Sequence, residues 1–166
     1  MKTSPIPHRK LKTSLTDDHI KFFHEVLCMV ENDNATQLNG YNWKKLKTSL
    51  SNEIHFENNT QNAKISIPNN IQADSIYISE SDSIAAKFLR YLRHAFAHNY
   101  ITCDKNGNLN ILLPANNYKS ANGKTSKQDS IKLCCCISFN RLKKVIAQLK
   151  KQKTNKSKQL KTIKTT

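Results

Sequence analysis

The 166-residue chain reads as a mainly α domain carrying a small antiparallel β appendage of about three strands. Three observations predict this. Apolar residues recur at three- and four-residue steps in four stretches, the period of a helix with one buried face. The clearest stretch, SDSIAAKFLRYLRHAFAHN, runs from residue 81 to 99 without Gly or Pro. Directly after it, Asn106-Gly107 sits between two short β-prone runs, which is a hairpin signature.

The elements follow in order. Thr16 is a candidate N-cap, with Asp17 and Asp18 in the first turn where the helix dipole favours acids. Ile20, Phe23, Leu27 and Val30 then mark a helix over 17–31. A second helix is expected over 35–50, with Leu38, Trp43, Leu46 and Leu50 inward and Lys44, Lys45 and Lys47 outward. Residues 51–81 are rich in Asn and Ser and broken by Pro68; short strands at Ile65–Ile67 and Ile76–Ile78 or a long ordered loop both fit. The third helix covers 82–98. Tyr100–Cys103 and Leu109–Leu113 form the hairpin, residues 115–130 a polar loop, and IKLCCCI over 131–137 a third strand. A last helix over 139–153 presents Leu142, Val145, Ile146 and Leu149 on one face.

One domain over 17–153 suits this length. It is flanked by a basic lead, 1–16, and a polar, repetitive tail, 154–166, of the composition that stays unstructured. No apolar run approaches the ~20 residues of a bilayer span. The start has no apolar stretch of the secretory-signal kind, so a cytoplasmic protein without a membrane partner is expected. Cys28, Cys103, Cys134, Cys135 and Cys136 are odd in number and lack zinc-ligand spacing, which suits buried thiols in a reducing compartment.

The net charge is +15, from 27 Lys and Arg against 12 Asp and Glu. It concentrates at the ends: 1–16 has four basic residues and 141–166 has Arg141 and nine lysines, with no acid in either. A polyanion is the natural partner of such segments, because each neutralised phosphate releases counterions. Abundant Lys, Asn and Ile with only three Gly is equally the mark of AT-rich codon bias.

The chemistry-bearing groups gather on the third helix. On a helical wheel Ile84, Ala85, Phe88, Leu89, Leu92 and Phe96 share one arc, and Arg90, Arg93, His94 and His98 the opposite one. Guanidiniums fork onto phosphate, and imidazoles move protons near neutral pH. A solvated helix face and a two-histidine metal half-site are the competing readings. The second lacks the acid of H-E-x-x-H, since Ala95 follows His94, and lacks a clear third ligand; no metal or cofactor is expected.

Arg93-His94-Ala95-Phe96-Ala97-His98, an R-x4-H pattern late in the helices, resembles the signature of the HEPN superfamily. His94 stands where that family usually has Asn. The likeness covers residues 80–150 and is nearest to small bacterial, plasmid-encoded members. It implies a HEPN-like helical bundle and a metal-independent endoribonuclease of toxin or phage-defence type. Arg93 would contact the scissile phosphate, His98 would transfer protons during 2′-hydroxyl attack, and His94 would orient the substrate or the other two groups. It implies a homodimer with both motifs in one cleft, and an antitoxin protein as a further partner. Arg90 and Tyr100 are added from the wheel, for phosphate contact and base stacking. The second reading is a non-catalytic RNA-binding or antitoxin-partnered module, and a more remote third is a scaffold or small-molecule-binding domain.

Overall fold

The computed structural model describes residues 15–33, 40–58, 72–79, 83–114 and 131–163, with the helical backbone alone over 154–163. Among the described residues, four helices and five strands follow in the order α1 (Asp17–Asp33), α2 (Trp43–Leu50), β1 (His55–Asn58), β2 (Ser75–Ile78), α3 (Ile84–Ala97), β3 (Ile101–Cys103), β4 (Asn108–Pro114), β5 (Ile131–Ser138) and α4 (Phe139–Ile163). The strands form one mixed sheet of order β1-β2-β5-β4-β3, in which β1 and β2 are parallel and every other pair is antiparallel. The domain is therefore α/β. This corrects the expected mainly α, HEPN-like helical bundle with a three-stranded appendage.

The physical reason lies in β5. Its residues alternate across the sheet, and both of its edges are paired: Ile76 lies opposite Cys135 on one side and Ile111 opposite Cys135 on the other. The strand expected as the third of a small appendage is thus the centre of five among the described residues. Leu133, Cys135 and Ile137 join Ile76, Ile78, Leu109, Ile111 and Leu113 in the main core under the helices. Tyr77, Ile131 and Cys134 form a smaller buried cluster on the other face.

Local chemistry sets the helix ends. Thr16 caps α1 through a box-like exchange: the His19 N–H donates to Thr16 Oγ1 (3.4 Å), and the Thr16 N–H donates to His19 Nδ1 (3.0 Å). Phe23, Val26 and Val30 carry the buried face of α1; Ile20, expected on it, is 48% exposed. Helix α2 begins at Trp43, where Asn42 Oδ1 accepts the Lys45 N–H (2.9 Å); residues 40–42 are not helical, and 35–39 of the expected helix lie outside the described residues. Gly40, at φ 99°, lies just outside it. Strand β2 occupies the expected Ile76–Ile78 run, β1 was not anticipated, and Ile65–Ile67 lies outside the described residues. Helix α3 ends on Asn99 in the left-handed region (φ 60°), and the Tyr100 N–H closes back onto the Ala95 carbonyl (2.7 Å). Helix α4 runs on to Ile163, where an unstructured tail was expected from 154; no Gly or Pro interrupts that span.

Candidate functional site

The C-terminal turn of α3 and the entry to β3 bring three of the five expected groups together. The His94 and His98 rings, one helical turn apart, have centroids 4.3 Å apart, and the Tyr100 ring lies 6.4 Å from His98. All three side chains are exposed, Tyr100 at 37%. The main chain of Tyr100 is pinned on both sides, by Ala95 and by the Leu112 N–H that donates to its carbonyl (3.1 Å). Partial burial, then His98, Lys132 and Arg93, hold the His94 imidazole below its ordinary value. The shift favours the neutral form of the His94 ring.

Arg93 faces elsewhere. Its Nε and Nη2 both donate to Glu31 Oε1 on α1, at 3.0 and 2.6 Å. Helix α1 carries five carboxylates against one lysine, so the arginine meets an acidic neighbour rather than an open phosphate site. Arg90 is exposed, one turn before His94. Two neighbours had no signal in the sequence. Glu31 is brought in by α1–α3 packing, and Lys132 of β5 stands 5.8 Å from the Tyr91 ring on α3. No group of three His, Cys, Asp or Glu able to hold a metal ion occurs among the described residues.

A second feature was not read from the sequence at all. An open hollow of about 670 Å³ lies between the end of α2, strand β1 and the start of α4, lined among others by Lys47, Ser51, His55, Phe56 and Arg141. Arg141 is tied to Asp74 and approaches Glu53 (4.0 Å), while Lys144 Nζ meets Glu53 at 2.5 Å. The Lys144 hydrogen bond, with the Lys144 and Arg141 charges, holds the Glu53 carboxyl below its usual range. Asp74 also accepts the Ser138 N–H at the start of α4 (3.2 Å).

Comparison with family models, curated proteins and solved structures returns no match for this chain. No helix among the described residues is long and apolar enough to cross a membrane.

Proposed function

We propose that this protein binds RNA, with the end of α3 as a contact surface for unpaired nucleotides. The observation that carries this reading is the exposed His94–His98–Tyr100 row. Aromatic and imidazole rings held on a rigid turn suit stacking on unpaired bases, a contact worth about 1–3 kcal/mol per base. Arg93, the guanidinium expected at a scissile phosphate, is turned to Glu31 on α1, so the ring row rather than the arginine carries this reading.

A metal-independent endoribonuclease is the second reading, and the paired imidazoles favour it. One ring would take the 2′-hydroxyl proton as the 2′-oxygen bonds to phosphorus. The other would protonate the 5′-oxygen as its bond to phosphorus breaks, leaving a 2′,3′-cyclic phosphate and a 5′-hydroxyl. Arg93 would have to leave Glu31, which is an easy exchange: the two side chains are 40% and 51% exposed, and such surface pairs contribute about 0–1 kcal/mol.

Fluorescence anisotropy with a labelled single-stranded RNA, in EDTA, tests both. Tyr100→Ala and His98→Ala are expected to weaken binding by about tenfold each, in line with one lost stacking contact. Unchanged affinity in both variants would sink the α3 surface. Cleavage by the wild type in EDTA, abolished in His98→Ala, would replace the binding reading with the nuclease one.

A further inference from the structure

We infer that the paired helices α2 and α4 form a phosphate-tracking face for a single-stranded nucleic acid, ending in the hollow between α2, β1 and Arg141. The ligand class rests on the RNA-binding reading above; the surface itself is separate from α3.

Four observations build it. First, α2 and α4 lie side by side and run in opposite directions. Gln152 exchanges hydrogen bonds with Asn42 at the start of α2 (2.7 and 3.3 Å), and Lys144 reaches Glu53 just past its end. Second, the pair is basic throughout. Helix α2 holds three lysines, α4 holds Arg141 and eight lysines, and neither holds an acid. Lys44, Lys45, Lys144 and Lys151 are exposed along it. Over 141–153, where side chains are described, this charge lies on a helix packed on the domain.

Third, the residues between these lysines are Thr48, Ser49, Ala147 and Gln148, exposed or half-buried. A helix that lies on a lipid surface carries large apolar residues on the contacting face. Small and hydrogen-bonding groups between cations suit a repeating phosphate chain instead. Acidic α1 borders α4 on the opposite flank, where Glu25 meets Lys150 (3.5 Å), and so confines a polyanion to the α2 side. Fourth, the face leads into the hollow, whose volume of about 670 Å³ can take an unstacked nucleotide. Lys47, Arg141 and Phe56 line it together with Glu53 and Asp74, so Arg141 enters a phosphate contact by leaving those half-exposed carboxylates. A base of a single strand can turn out into the hollow, whereas bases inside a duplex stay stacked and paired, which favours a single strand as the ligand.

The test is anisotropy with a single-stranded RNA and with its duplex, across a salt series. Three proteins are compared with the wild type: Lys44→Gln/Lys45→Gln/Lys151→Gln, the same three positions changed to Arg, and Tyr100→Ala. The Gln variant is expected to bind the single strand about tenfold more weakly at low salt, with a log–log salt slope shallower by about 2, since each phosphate contact on a single strand contributes about 0.7. The Arg variant should keep both affinity and slope. A Gln variant with wild-type affinity and slope overturns the inference, and a loss in Tyr100→Ala alone would then leave the α3 reading standing. A loss confined to the Gln variant supports the inference and removes the α3 reading. Equal or tighter binding of the duplex overturns the assignment of a single strand to this face.

Discussion

Asp74 shows how much one residue can tie together. It sits at φ 58°, a left-handed conformation that a short polar side chain tolerates, and its carbonyl accepts the His55 N–H that opens the β1–β2 ladder (2.9 Å). Its carboxylate meets the Ser138 N–H and the Arg141 guanidinium at the start of α4. Asp74→Gly keeps the backbone freedom and loses the carboxylate, at a cost of about 1–2 kcal/mol, the range for losing a helix cap. Asp74→Ala is expected to lose a further ~1 kcal/mol because alanine resists the left-handed region. Urea unfolding of the two variants checks the order; equal stabilities would show that backbone strain is not the second contribution. His19 and His94 make a pH prediction. Burial lowers both imidazoles first, with Lys143 adding for His19 against an opposing Asp18, and His98, Lys132 and Arg93 adding for His94. A lowered imidazole means that the unfolded chain takes its proton first. Stability is therefore intact above the ordinary value near 6.5, falls as pH drops below it, and levels once the folded rings protonate too. Protonation of His19 Nδ1 also removes the acceptor for the Thr16 N–H. His19→Gln, which restores an amide acceptor at the same capping position, should flatten the decline in urea midpoint between pH 7 and pH 5. A decline as steep as in the wild type would place the pH sensitivity elsewhere.

Among the elements, the β3–β4 turn allows a clean separation of backbone and packing effects. Asp104 Oδ1 accepts the Asn106 and Asn108 N–H groups (2.8 and 2.9 Å), and Gly107 adopts φ 79°. These hydrogen bonds, led by that from Asn108, hold the Asp104 carboxyl below its usual range. A Cβ at Gly107 would meet no atom within 4 Å, so Gly107→Ala should cost about 1 kcal/mol through the backbone alone. A thermal melt of this variant matching the wild type would show that the turn relaxes. This turn, α1, α3 and the start of α4 were legible because their signals are local: a cap, a period of 3.6, an Asn-Gly pair. The sheet was not, since the partners of β5 lie far along the chain, with Tyr77 opposite Cys134 and Leu112 opposite Cys134. Short runs such as HFEN carry too little alternation to declare a strand without knowing what they pair with. The histidine row of α3 was legible for the same local reason that the helix was. The Arg93–Glu31 pair was not, because no spacing along one helix reveals which neighbour packs against it.

At the level of the whole molecule, the helices cover one sheet face and divide by charge, with acidic α1 on one flank of α4 and basic α2 on the other. The thiols report this layering. Burial pushes Cys134 up to about 11 and Cys135 well above the usual thiol range, the neighbouring cysteines adding to both. Cys28 is exposed on α1. A thiol reagent at pH 8 is expected to label Cys28 first, and Cys134 and Cys135 only on unfolding. Mass spectrometry of the labelled native protein checks this, and early modification of Cys135 would contradict the buried central strand. The position of β5 in the chain has one more effect. The middle strand of the sheet is the last of the described strands to be synthesised, so β1–β2 and β4–β3 can each pair while the ribosome is still upstream of Ile131, yet neither pair can join the other. A nascent or prematurely stopped chain would hold two unjoined ribbons with open inner edges, prone to pair with other chains. Assembly of the domain as a unit must wait until Ser138 has left the exit tunnel.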